Sequence, residues 1–152
     1  MLYRIVNDHD PYIDLIKDDP VRPEIPTAAR LHDQADIFVW LEDGKPGAVT
    51  CVTYTGAVPK AVSDLNDRSG TDHAVFYTIW SYSRGSGRNL IQAAQQWLQK
   101  ERPNIRVFVT LSPKTDMARK FHHGNGARTL QENLETVNYE YNIASTIHVV
   151  HS

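Results

Sequence analysis

The sequence is poor in cysteine: Cys51 is the only one among 152 residues. An internal disulfide is therefore excluded, and a reducing, cytoplasmic setting is the expectation. Long apolar runs are missing too. None approaches the roughly 20 residues that cross a bilayer, so no membrane partner is expected. The opening MLYRIVNDHD lacks the basic stretch followed by an apolar one that marks a secretory leader. The seven histidines form no HExxH pattern and no cysteine–histidine grouping, so no metal site is expected. His148 and His151 are three apart, but in a stretch expected to fray. Cys51 itself lies in the apolar run AVTCVTYT, where a small buried thiol, not a nucleophile, is expected.

What is present reads as a globular chain, with 41% hydrophobic and 22% charged residues. The length suits a single domain over residues 1–152, able to bury a core without staples. The net charge of −2 conceals an asymmetry. Residues 1–70 carry 7 Lys/Arg against 12 Asp/Glu, and residues 71–152 carry 9 against 6. Between Arg84 and Arg128 stand nine basic residues and only Glu101 and Asp116, a local +7. Such a segment suits a polyanionic ligand or simply a solvated basic face. No nucleic-acid-binding motif accompanies it, so nucleic acid is not an expected partner.

The local patterns alternate between strand and helix. LYRIV (2–6) reads as a strand, and DPYIDLIKDD (10–19) as a short helix with an Asp cap and Pro11 at its first position. PVRPEIP (20–26) is a loop, and TAARLHDQA (27–35) a second helix. DIFVWLEDGKPGAVTCVTYTG (36–56) reads as a hairpin about EDGKPG, and residues 57–72 as an irregular polar loop. HAVFYTIW (73–80) is a strand. GRNLIQAAQQWLQKE (87–101) places Leu90, Ile91, Ala94, Trp97 and Leu98 on one helical face. IRVFVTL (105–111) is a strand, KTDMARKFHHG (114–124) a helix with Met117 and Phe121 on its apolar side, and TVNYEYNI (136–143) a closing strand. The order predicts a mixed α/β (α+β) domain.

SYSRGSGRNLIQ (81–92) joins the 73–80 strand to the helix that follows. The first amides of a helix have no internal partners and carry the positive end of its dipole. A phosphate or pyrophosphate suits such a place. Gly85 and Gly87 permit close backbone approach, and Arg84 and Arg88 add charge. The pattern is neither GxGxxG, since position 90 is Leu90, nor a P-loop, since no GK[ST] follows. A turn without a ligand accounts for the glycines equally simply.

The combination of VFYTIW, a short connection and Tyr82-Ser83-Arg84-Gly85-Ser86-Gly87-Arg88-Asn89-Leu90-Ile91 resembles motif A of the GNAT (Gcn5-related) N-acetyltransferases, Q/R-x-x-G-x-G/A followed by an aliphatic pair. Downstream, Thr115, Ala118, His122, Gly126 and Ala127 occupy the positions of the family's N-x-x-A-x-x-x-Y-x-x-x-G-F. The resemblance implies a mostly antiparallel mixed sheet flanked by helices and splayed at an acyl-CoA site. It implies that acetyl-CoA, or another acyl-CoA, is the co-substrate. Its pyrophosphate would be held by Tyr82, Ser83, Arg84, Gly85, Ser86, Gly87 and Arg88. Its acyl arm would lie along Val75, Phe76, Tyr77 and Ile79, with Thr115 and Arg119 completing the set.

The implied reaction is direct attack of a neutral primary amine, carried by a small molecule or peptide, on the thioester carbonyl. The amine loses a proton and CoA leaves as the thiol. His122 stands where relatives carry the tyrosine that protonates that thiol, and an imidazolium is a competent acid. No acid lies in residues 107–112, so Asp72 and His73 are the candidates for the base, with Glu140 a further carboxylate. The acidic positions Asp14, Asp18, Asp19, Asp33 and Asp36 suit a cationic acceptor. Two other readings stay open: a CoA-binding sensor of the same fold without transferase activity, and a polyanion binder. A homodimer is compatible with the sequence.

Overall fold

A computed structural model describes residues 1–142 of the chain. His148 and His151, and the last residue of the expected 136–143 strand, lie outside the described residues. Among the described residues there are eight strands and two α-helices: β1 (Leu2–Ile5), β2 (Ala35–Glu42), β3 (Lys45–Thr55), β4 (His73–Ser81), α1 (Ser86–Glu101), β5 (Val107–Thr110), β6 (Ser112–Pro113), α2 (Asp116–Gly124), β7 (Arg128–Glu132) and β8 (Thr136–Tyr141). Two compact units divide them. One holds residues 1–53 and 76–103, the other 54–75 and 104 onward, so β3 and β4 each contribute to both.

In the first unit the strand order is β1-β2-β3-β4. β2 and β3 form the expected antiparallel hairpin, with Glu42 opposite Lys45. Its turn is shorter than EDGKPG. Only Asp43 and Gly44 turn, both at positive φ (51° and 78°), as a two-residue hairpin loop of primed type requires. Lys45, Pro46 and Gly47 already belong to β3. Against β1 and β2 lies α1, burying Leu90, Ile91, Ala94 and Leu98 at the predicted spacing. Each such Leu or Ile contributes roughly 1.5–3 kcal/mol. Trp97 meets Phe38 edge to face at 5.2 Å, and the Arg4 guanidinium sits 5.1 Å above the Trp97 ring. Arg4 and Arg102 both pair with the buried Asp36.

The two N-terminal helices expected from the sequence are corrected to short 3-10 segments, Ile13–Asp18 and Thr27–Ala29. Polar side chains stop them. The Asp10 and Asp19 carboxylates take up nearby backbone N–H groups, and Pro20, Pro23 and Pro26 bar any longer α-helix.

In the second unit β8 pairs antiparallel with β5, β6 and β7. β7 is not expected from the sequence. Its residues RTLQE are exposed or half-buried, so no alternation of apolar and polar residues announces it. The loop after β3 contains a 3-10 turn at Val62–Asn66 and is tied to β8, since Thr136 Oγ1 donates to the Lys60 carbonyl and Asn138 Nδ2 to that of Pro59. α2 begins at its Thr115 cap, whose hydroxyl accepts from the Ala118 N–H. Its buried side chain is His122, whereas Met117 is 82% exposed, contrary to the expected Met117–Phe121 face.

Candidate acyl-CoA site

The glycine loop is built by the end of β4, α1 and the start of β3, all within the first unit. The Tyr82 and Ser83 N–H groups both donate to the Gly47 carbonyl, at 2.7 and 3.2 Å. Any Cβ at Gly47 would overlap the Ser86 hydroxyl, so glycine is required where β3 passes beneath the loop. Gly85 caps α1 at φ 84°, a left-handed conformation that glycine adopts without strain. A Cβ built there meets nothing within 4 Å, so the loop is open at that point. The Ser86 N–H returns to the Ser83 carbonyl, and the two serine hydroxyls lie 2.6 Å apart. Helix geometry leaves the Gly87 and Arg88 amides with no acceptor inside α1. Arg84 and Arg88 are exposed beside them. An open backbone turn, helix-start amides and two exposed guanidinium groups fit a pyrophosphate.

Tyr82 stands at the first position of the loop. Its hydroxyl donates to Asp18 Oδ2 at 2.6 Å and accepts from Trp80 Nε1 at 3.0 Å. Burial and the Asp18 carboxylate push its pKa up to about 12, so it stays neutral. The first motif residue therefore ties the 13–18 segment to the loop.

Beside the middle of β4 lies a charged cluster that sequence reasoning missed. Asp19 and Arg30 are 3% and 1% exposed and meet at 2.7 Å. Arg30 Nε and Nη2 donate to the Ile25 carbonyl, Nη2 also to that of Arg22, and Nη1 lies 3.5 Å from Cys51 Sγ. Asp19 Oδ1 accepts from the Thr78 hydroxyl and from the Val21 and Arg22 N–H groups. Burial pushes the Asp19 pKa up, but these donors outweigh it and hold the carboxyl below its usual range. Arg22 Nε donates to the Tyr77 carbonyl at 3.3 Å, and Thr50 Oγ1 to that of Thr78 at 2.7 Å. Burial raises the Cys51 thiol to about 11 and the Tyr77 phenol well above its ordinary value, so both are neutral. The only advance signal was PVRPEIP, read as plain loop.

The other expected site residues fall in the second unit. His73 Nδ1 lies 2.9 Å from Asp72 Oδ1 at the start of β4, and that hydrogen bond holds Asp72 below its usual range. Val75 is buried on the same strand. Arg119 pairs with Asp116, three residues away on exposed α2, and Glu140 pairs with Arg128 across β7 and β8. His122 is 3% exposed, with Nδ1 2.7 Å from the Tyr141 hydroxyl and its ring stacked on Tyr139. Burial, helped by His123, pulls its pKa down to about 4. It is a neutral core imidazole at pH 7, whereas the acid role expected for it needs an imidazolium.

Among the described residues no group of three or more His, Cys, Asp or Glu is placed to hold a metal, and no helix is long and apolar enough to cross a membrane. No family model and no curated protein sequence matches the chain. Solved structures do. A malonyl-CoA decarboxylase from Agrobacterium vitis superposes with a TM-score of 0.75 at 22% identity over 99% of this chain and 62% of its own. The GNAT domain of S. lividans PAT gives 0.66 at 13% identity, covering 93% and 89%. The aminoglycoside N-acetyltransferase AAC(6')-Iy in complex with CoA gives 0.61 at 16%, covering 88% and 96%. The chain spans 60–62% of the length of the three malonyl-CoA decarboxylase chains it matches. Identities this low speak to architecture alone, and the architecture is the mixed α/β fold of the GNAT acetyltransferases.

Proposed function

We propose that the chain binds an acyl-CoA through the Tyr82–Arg88 loop and transfers its acyl group to a primary amine. The observation that carries this reading is Gly85, left-handed and open, at the start of α1 beside Arg84 and Arg88. When bound, CoA supplies an activated acyl thioester. The chain's own part is to hold the pyrophosphate on the loop amides, align the arm along Phe76, Tyr77 and Ile79, and receive the amine's proton. The candidates for the base remain Asp72 and His73. His73 Nδ1 and Asp72 Oδ1 lie 2.9 Å apart.

A calorimetric titration with CoA and acetyl-CoA tests the binding claim, and a thermal shift supports it. Micromolar binding that Gly85→Glu abolishes, in a variant with an unchanged far-ultraviolet spectrum, is the expected result. No heat and no shift at millimolar ligand refutes it. A second reading is a CoA-binding protein without transferase activity. The neutral, buried His122 favours it, because the acid expected at that position is then not an imidazolium. Binding of acetyl-CoA without thiol release in the presence of an amine panel would select it. The shared fold with malonyl-CoA decarboxylases also makes a carboxylated acyl-CoA a ligand to test beside acetyl-CoA.

A further inference from the structure

We infer that Tyr82 is a positioning residue of the acyl-CoA site: its phenol fastens the pyrophosphate loop to the 13–18 segment, so that a ligand on the loop also orders that segment. This rests on the acyl-CoA reading above and adds to it a residue that acts on the ligand through its neighbours. Tyr82 stands at a junction. Its N–H donates to the Gly47 carbonyl at 2.7 Å, and its hydroxyl donates to Asp18 Oδ2 at 2.6 Å and accepts from Trp80 Nε1 at 3.0 Å. Trp80 is buried and anchors this array in the core, whereas Tyr82 is 44% exposed. Burial therefore does not hold the Tyr82 ring; its hydroxyl does. Nor does a cation hold Asp18. Lys17 is paired with Asp14, and the Asp18 carboxylate reaches no cation among the described residues.

Beyond Asp18 the chain continues along β4. Asp19 takes the Thr78 hydroxyl, and Arg22 Nε donates to the Tyr77 carbonyl. Three contacts in sequence, Asp18 with Tyr82, Asp19 with Thr78 and Arg22 with Tyr77, lay one stretch beside both the acyl-arm residues and the head of the loop. Asp19 is fixed by its buried ion pair with Arg30. The contact at Tyr82 is a single hydrogen bond between exposed residues, so it is the one that can open and close. An O–H···O⁻ bond of this length is charge-assisted and outlasts a neutral one. With Tyr82 fastened, the turn leading to Gly85 and the amides of α1 keeps the shape that suits a pyrophosphate. The ligand then binds the fastened form more tightly than the released one. That difference moves the equilibrium toward the fastened form, and by linkage the ordered segment strengthens ligand binding in return.

The test joins calorimetric titration with CoA to amide hydrogen exchange of the whole chain, with and without saturating CoA. In wild type, CoA is expected to slow exchange in residues 82–88 and also in 13–18. Tyr82→Phe keeps the ring and loses the hydroxyl. It should bind CoA about five- to tenfold more weakly, with 82–88 still protected by the ligand and 13–18 indifferent to it. Asp18→Ala should do the same, and the double variant should bind no more weakly than the weaker single one, because all three lose one bond. A CoA affinity of Tyr82→Phe within about twofold of wild type overturns the proposal. So does CoA-dependent slowing of 13–18 that is absent from wild type or survives the substitution, even if the melting temperature falls, since a merely structural tyrosine would give that result. If Tyr82→Phe does not fold, Asp18→Ala decides by the same two readouts. Failure of CoA to bind wild type removes the acyl-CoA reading and this one with it; binding without the coupling removes this one alone.

Discussion

His122 makes folding stability depend on pH in a window that can be stated in advance. Its folded pKa is about 4, depressed first by burial and then by His123. In the unfolded chain it returns to about 6.5. Between pH 4 and 6.5 the unfolded state therefore holds a proton that the folded state does not. Stability is complete above pH 6.5 and falls as the solution is acidified. Below the unfolded value, every further pH step of one costs about 1.4 kcal/mol, so the fall by pH 4 is about 3 kcal/mol from this residue alone. The groups packed on the ring, Tyr141, Tyr139 and Phe121, carry no charge in that window. Asp19 and Asp72, both depressed, lose their contributions only below the ordinary carboxylate range. Urea denaturation at half-unit steps from pH 7 to 4 reads the curve. In His122→Asn, whose amide can still meet the Tyr141 hydroxyl, the corresponding slope should vanish even if overall stability drops. Parallel curves for wild type and variant would refute the assignment of a neutral, buried imidazole.

Two substitutions probe the ground on which the site stands. Arg30→Met leaves Asp19 buried without its cation and frees the Arg22 and Ile25 carbonyls, so a loss of about 3–5 kcal/mol in urea denaturation is expected; a loss under about 1 kcal/mol would mean the pair is not desolvated. Gly47→Ala drives a Cβ into the Ser86 hydroxyl beneath the loop and should cost about 1–3 kcal/mol by overpacking, with weaker CoA binding in proportion to loop displacement; a melting point and CoA affinity within error of wild type would contradict the contact.

Elements with a strong period or a mandatory turn residue were legible in the sequence. α1 follows from Leu90, Ile91, Ala94 and Leu98, and the hairpin from Asp43-Gly44, because each pattern has one cheap realisation. The loop at Gly85 was legible for the same reason. The 10–19 and 27–35 stretches were not, since their short helical patterns compete with Asp10, Asp19 and Arg30 side chains that bond backbone groups instead. β7 was hidden by its exposure, and His122 by the fact that a helix face can be buried by polar as well as apolar residues. The Asp19–Arg30 pair spans 11 positions and meets Thr78, 59 positions from Asp19, a closeness no local pattern encodes.

That pair also explains why three prolines stand in PVRPEIP. Pro20, Pro23 and Pro26 bring no N–H to a segment that folds beside a buried carboxylate, which lowers the number of donors needing partners. Carbonyls remain, and those of Arg22 and Ile25 are taken by one guanidinium. Arg30 thus supplies the donors for the Ile25 carbonyl and a second donor, beside the Ile25 N–H, for that of Arg22, and Asp19 balances its charge. Hydrophobic residues of similar volume could replace such a pair with little loss of stability. They could not meet the carbonyls or fix the backbone from which Arg22 reaches the Tyr77 carbonyl. Keeping two charges in the interior is more economically explained by what they position on β4 than by the stability they add.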